Sequence, residues 1–299
     1  MSRRLAALNL FLRLAVKPRL ARTAGPGAAE REFRRLGAQV LRQPPYLRRI
    51  ERPGGLHWIS AGPCLPGKLI LYFHGGGYIS GSPATHQGLI ARLSKLARIE
   101  ICAPDYPLAQ HAPVPAAFEA ALAAWRRCLA LGYPPERILL AGDSAGGGLA
   151  LALLARLCAE GTPPAGVVAF SPWTDLAMTG PSLRDNAATD PFLPVARIEE
   201  LCEIVLAGTD PKDPRISPLY GSFPGCPPVL ICHSATEILA DDARSMAARL
   251  REQGGVVTLH EAPDAPHAWP VFDGWIPEAR ATLRLAARFA QSCLAATSR

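Results

Sequence analysis

From about residue 68 onward, short apolar runs alternate with longer stretches in which apolar positions recur every three or four residues. Apolar runs of four to eight residues read as buried strands, and the 3.6-residue spacing reads as helices with one face on a core. Strands are therefore expected over 68–73, 99–103, 137–141, 166–170, 228–233 and 256–261. Helices are expected over 85–98, 115–131, 148–160, 239–253 and 277–294. Residues 49–60 alternate around Pro53-Gly54-Gly55, the pattern of a β-hairpin. Strands that are apolar throughout and take turns with helices argue for an α/β protein, its mostly parallel sheet covered on both faces. With the hairpin, that sheet has eight strands.

Two regions depart from this rhythm. Residues 1–45 look helical and basic, with a break at Gly25-Pro26-Gly27. Residues 174–218 are rich in Pro, Asp and Thr and carry one helical stretch near 195–207. That segment reads as an insertion over the carboxyl edge of the sheet, where α/β proteins carry their sites. Three segments result: a helical N-terminal segment over 1–48, an α/β domain over 49–173 and 219–299, and an insertion over 174–218.

Composition narrows the class. The chain has 299 residues, 49% of them hydrophobic, enough for one large core. No run of eighteen apolar residues occurs, so no transmembrane helix is expected. The net charge of +7 is concentrated at one end: the first fifty residues hold twelve Arg or Lys against Glu30 and Glu32. These cations fall at helical intervals and no nucleic-acid module accompanies them, so they read as the solvated face of amphipathic helices and no nucleic-acid partner is expected. Leu5, Leu8, Phe11 and Leu12 share the segment, which leaves weak peripheral contact with a membrane surface open. Ser2-Arg3-Arg4 followed by Leu5 to Leu12 has the outline of a secretory signal, but Arg13 and Lys17 interrupt it and no small-x-small site follows. The segment is read as mature protein. Eight scattered cysteines without C-x-x-C read as free thiols of a cytoplasmic protein, and no metal site is expected.

The chemistry begins at Gly142-Asp143-Ser144-Ala145-Gly146, placed between a strand and a helix. G-x-S-x-G in that setting is a nucleophile elbow: a sharp turn exposes the serine oxygen, and small neighbours let strand and helix approach. The helix start supplies unpaired N–H groups for a developing oxyanion. The plain alternative is a glycine-rich turn with an N-cap serine. A second glycine loop, His74-Gly75-Gly76-Gly77, follows the strand at 68–73. Backbone N–H groups of Gly75 and Gly76, with that of Ala145, are the expected oxyanion donors.

The pair HGGG and GDSAGG resembles the hormone-sensitive lipase family of α/β hydrolases. Asp105-Tyr106-Pro107-Leu108-Ala109 and Pro113-Val114-Pro115-Ala116-Ala117 are similar to another stretch of that family, with Pro107 in place of its usual Arg. Asp105 reads there as structural, tying loops near the oxyanion donors. Tyr78 to Ser82 and Ser171 to Leu176 are most similar to bacterial carboxylesterases grouped with monoterpene ε-lactone hydrolases.

The resemblance implies a base in the loop after the last strand, which singles out His267, and the chain order Ser, acid, His. The family's orienting carboxylate follows the penultimate strand. Matching the loops puts Glu237 there, with Asp241 as the rival and helix capping as the ordinary role of Asp241 and Asp242. The implied activity is that of a serine carboxylesterase acting on short- to medium-chain esters through an acyl-enzyme, with no cofactor. A lactone hydrolase with the same triad is the alternative. An inactive small-molecule receptor is less in keeping with a retained His267. Tyr78, Trp173, Phe192 and Trp269 are candidates for the substrate pocket. Monomer and dimer both stay open.

Overall fold

The structure is a computed structural model that describes residues 2–296. An eight-stranded sheet runs in the order β1-β2-β4-β3-β5-β6-β7-β8. The strands are β1 (Leu47–Arg52), β2 (Leu56–Ala61), β3 (Leu69–Phe73), β4 (Glu100–Pro104), β5 (Ile138–Asp143), β6 (Gly166–Phe170), β7 (Val229–Ser234) and β8 (Val257–Ala262). The hairpin strand β2 runs antiparallel to β1 and to β4, and all pairs from β4 to β8 are parallel. The eight strands and the mostly parallel pairing agree with the expectation from apolar runs.

The helices are α1 (Arg3–Phe11), α2 (Lys17–Ala21), α3 (Pro26–Val40), α4 (Pro83–Ala97), α5 (Ala116–Ala130), α6 (Ala145–Ala159), α7 (Ser182–Asp185), α8 (Ile198–Leu206), α9 (Ala240–Glu252) and α10 (Pro277–Ala296). A π-helical turn, Leu12–Val16, joins α1 to α2. The strand pleat divides the core in two, since successive side chains face opposite ways. Leu69, Leu71 and Phe73 pack with α5, α6 and α9 on one face, while Ile70 and Tyr72 pack with α4, α10 and the N-terminal helices on the other.

Two differences from the sequence reading have physical causes. Helix α6 starts at Ala145, three residues before the expected start at 148, so its first turn takes in Gly146, Gly147 and Gly148. Glycine disfavours helix by about 1 kcal/mol relative to alanine, but at Gly146 and Gly148 no other residue fits. A Cβ on Gly146 would strike the carbonyls of Phe73 and His74, and one on Gly148 the carbonyl of Trp173. The insertion also contains the short helix α7, which its Pro- and Asp-rich sequence did not announce.

The N-terminal helices and the insertion lie against one another. Arg13 donates to the carbonyl of Thr189 (2.9 Å), and Lys17 Nζ donates to those of Ala187 (2.8 Å) and Asp190 (2.6 Å). Arg197 donates to the carbonyl of Ala21 (3.2 Å). Both segments line a cavity whose floor carries Ser144.

Candidate active site

Ser144 sits between β5 and α6 with φ 53° and ψ −124°, a region that costs a non-glycine residue strain energy. Its N–H donates to the carbonyl of Phe170 (2.8 Å), and the tight packing of Gly142 and Gly146 holds the turn closed. The strain has one product: the hydroxyl projects toward the loop after β8. There Ser144 Oγ lies 2.8 Å from His267 Nε2, and His267 Nδ1 lies 2.6 Å from Glu237 Oε2. An ionised carboxylate can only accept, so the proton belongs on Nδ1, and Nε2 is left to accept from the serine hydroxyl. The other oxygen of Glu237 accepts from the N–H of Ser234 (2.9 Å). His267 and Glu237 are both buried. Burial pulls the imidazolium pKa down, but the hydrogen bond and charge of Glu237, with the charges of Asp190 and Asp143, outweigh it, so His267 is raised above the ordinary value of 6.5.

The rival carboxylate, Asp241, points elsewhere. It accepts from the N–H of Ser182 (2.8 Å) and from Arg244 (3.2 Å). The loop carrying Glu237 is held from the insertion, by residues the sequence reading did not single out. Asp190 accepts from the N–H groups of Ile238 (2.9 Å), Phe192 (2.7 Å) and Leu193 (2.9 Å). Asn186 donates to the carbonyls of Ala235 (2.9 Å) and Glu237 (2.8 Å), and Ser182 Oγ donates to that of Ile238 (2.8 Å). Asp190 is fully buried, and burial raises its carboxyl pKa against the pull of its three amide donors.

The glycine loop after β3 is organised from below by Asp143. One carboxylate oxygen accepts from Tyr72 Oη (2.7 Å) and from the N–H of Gly75 (3.1 Å), and the other lies 3.3 Å from His86 Nε2. Burial pushes the Asp143 carboxyl up, but His86, Tyr72 and His74 together hold it below its ordinary value. Tyr106 stacks on His74 at 4.2 Å and donates to its carbonyl (2.6 Å). Burial, with the nearby His86, drives the pKa of His74 down to about 3, so its ring is neutral.

This arrangement corrects one expected donor. The N–H of Gly75 is spent on Asp143 and is not available to an oxyanion. Gly76 and Gly77 line the cavity, and among the described residues no protein group accepts from their N–H groups. Ala145 opens α6, so its N–H has no carbonyl a turn earlier to reach. Gly76 must be glycine: its φ is +123°, and a Cβ would strike the carbonyl of Ser80, which in turn donates through N–H (3.0 Å) to Gly76 O.

Asp105 is also placed differently from the expectation. Its carboxylate lies 2.8 Å from His57 Nε2 and its N–H donates to Gly55 O (2.7 Å). It therefore anchors the β1–β2 hairpin, while Asp143 and Tyr106 tie the glycine loop.

The cavity above Ser144 has a volume of about 250 Å³. Trp173 and Phe192 line it, as anticipated. Trp269 does not: it is fully buried against α10, with its indole N–H on Thr282 Oγ1 (3.0 Å). Tyr78 is buried between Tyr106 and Trp173 and faces a smaller neighbouring void. An aromatic side chain near a glycine loop carries no mark of which way it turns, so sequence alone could not sort these four. The wall that the sequence reading missed comes from the first forty residues, with Leu12, Val16, Phe33 and Leu36 facing Leu201 and Ile204 of α8. Their helical spacing was visible, but not the surface they cover.

Comparison with known proteins adds an independent view. A family model for the alpha/beta hydrolase fold matches residues 70–271. An acetyl-hydrolase of Streptomyces hygroscopicus is 42% identical over 224 residues, covering 75% of each chain. An esterase of Acinetobacter venetianus is 34% identical over 227 residues, again 75% of each. The crystal structure of an esterase from the bacterial hormone-sensitive lipase family superposes with a TM-score of 0.91 at 32% identity, covering 98% of this chain and 99% of that one.

Proposed function

This chain belongs to the α/β-hydrolase family, on its hormone-sensitive lipase-like side, and from that premise we propose that it is a serine carboxylesterase. The observation that carries the reading is the hydrogen-bonded series Ser144–His267–Glu237 opening onto an apolar cavity.

In the proposed reaction, His267 Nε2 takes the proton of Ser144 Oγ as that oxygen bonds to the ester carbonyl carbon. Glu237 holds the imidazole tautomer and stabilises the imidazolium. The negative oxygen of the tetrahedral intermediate is received by the N–H groups of Gly76, Gly77 and Ala145. Losing one such donor costs about 2.7–4 kcal/mol in the transition state. The carbon–oxygen bond to the alcohol then breaks, and the alcohol departs with the proton from Nε2. Water, deprotonated by the same nitrogen, attacks the acyl-enzyme and releases the acid. Each proton taken is returned, and no cofactor enters the balance.

The cap is assigned to residues 1–48 and 174–218, and the catalytic domain to 49–173 and 219–299. A cavity of about 250 Å³ lies just under the roughly 300–1,000 Å³ of drug-sized sites. That supports compact esters of short to medium acyl length over triglycerides. The test is hydrolysis of p-nitrophenyl acetate, butyrate, octanoate and palmitate, with Ser144→Ala as control. Turnover that peaks between acetate and octanoate, a burst of p-nitrophenol, and a silent Ser144→Ala variant are expected. Absence of turnover across esters and lactones alike would sink the reading.

A further inference from the structure

Residues 2–22 hold six cations and no carboxylate. They form one helical run, from α1 through the π-turn to α2. Its inner face is apolar: Leu5, Leu12 and Val16 are buried in the core. The outer face should then be polar, as in an ordinary amphipathic surface helix. It is not. Leu10, Phe11 and Leu14 are 58%, 48% and 69% exposed. With Arg3 and Ala7 they form an outward stripe at spacings of three and four residues. Apolar side chains exposed side by side on one helix face, rather than scattered singly, are the pattern of a contact surface.

Charge indicates what the contact is made with. Arg3, Arg4 and Arg22 make no ion pair among the described residues, and Arg13 spends one N–H on a carbonyl, which leaves its charge uncompensated. The carboxylates that touch this run serve other groups: Glu32 holds Arg19, Glu278 accepts from Ser2, and Asp190 acts on Lys17. An apolar ridge set among uncompensated arginines complements an interface that is apolar below and anionic above. The ridge is also continuous with the cavity, because Phe11 is both half-exposed and part of the cavity wall, with Leu12 and Val16 behind it. We propose that the outward face of residues 3–22 docks on an anionic lipid bilayer, its apolar ridge at the headgroup–acyl boundary and the cavity wall turned toward the lipid. A substrate dissolved in the bilayer then meets the cavity without crossing bulk water.

The experiment is co-sedimentation of the whole protein with phosphatidylglycerol and with phosphatidylcholine vesicles, at low and at high salt. Two variants are compared, Arg3→Glu with Arg4→Glu, and Leu10→Ser with Leu14→Ser. None of the four residues lines the cavity, so hydrolysis of soluble p-nitrophenyl acetate and the thermal transition are expected to stay unchanged and to report folding. Binding to the anionic vesicles, weakened by salt and reduced at least about tenfold in both variants, is the expected result. The vesicle readout does not depend on Ser144 chemistry, so it stands or falls apart from the esterase reading. Three outcomes overturn the proposal: no binding to either vesicle, binding that neither variant changes, or a solution dimer that Leu10→Ser with Leu14→Ser disperses.

Discussion

Glu237 and Asp241 lie four residues apart, yet their surroundings separate them. Glu237 is fully buried with both oxygens engaged, on His267 and on the N–H of Ser234, while Asp241 accepts from Ser182 and Arg244 at the start of α9. Glu237→Gln is therefore expected to lower kcat on the order of 10⁴-fold, as amide replacement of an orienting acid does. Asp241→Asn is expected to stay within about fivefold, since it loses an ion pair with Arg244 worth at most about 1 kcal/mol while its amide oxygen can still accept from Ser182. Steady-state kinetics on p-nitrophenyl butyrate separates the two, and the reverse order would move the acid to Asp241. A pH profile belongs to the same scale. A base must be neutral to act, and His267 is raised above 6.5. Activity is thus lost as pH falls through that raised value, and the acid limb of kcat/KM is expected to lie above pH 6.5.

At the scale of elements, the insertion after β6 and the loop after β7 behave as one unit. Asp190 joins them, with one carboxylate oxygen on Ile238 and the other on Phe192 and Leu193 in the cavity wall. Its charge also raises His267. Asp190→Asn replaces an acceptor of three amides with a group that keeps one carbonyl oxygen, and removes that charge. The expected result is a lower kcat together with an acid limb displaced to lower pH. A variant that only loosened the fold would lower the active fraction without moving the limb. The β5–α6 junction has less tolerance. Gly146→Ala drives a methyl into the carbonyls of Phe73 and His74, and backbone cannot yield as a flexible side chain does. A loss of about 1–3 kcal/mol or more, read as a lowered Tm, is expected. An unchanged Tm would show that β3 and α6 can part more easily than their packing implies.

At the scale of the molecule, two segments distant in sequence close over one sheet edge. Lys17 is the main polar tie between them, with its ammonium on the carbonyls of Ala187 and Asp190. Partial burial lowers its pKa and the nearby Asp190 raises it in part. Lys17→Met keeps the length and removes the donor, leaving two carbonyls short of a partner at about 1–3 kcal/mol. The expected outcome is a raised KM for butyrate and octanoate with kcat nearly kept, and faster proteolysis within residues 3–22. A fall in kcat with KM unchanged would mean that the tie acts on the Glu237 loop rather than on the cavity wall.

The sequence by itself determined what local chemistry dictates. Apolar runs and helical spacing marked the strands and helices from β3 to α10 apart from the short α7, because a residue's burial on a pleat or a helix face is a matter of period. Ser144 was legible because only small residues survive the closeness of strand and helix at the elbow, and His267 because its loop follows the last strand. Only the tertiary structure decided what depends on contacts across the chain. The N–H of Gly75 is consumed by Asp143, and no pattern around His74 to Gly77 distinguishes it from that of Gly76. Trp269 and Phe192 look alike as aromatic residues in loops, yet α10 buries the first and the cavity receives the second. Asp190 and Asn186 carry no mark in the sequence, and take their role only when β7 brings the Glu237 loop against them. The first forty residues showed their spacing but not their partner, since the surface an apolar face covers is set by the other side of the contact.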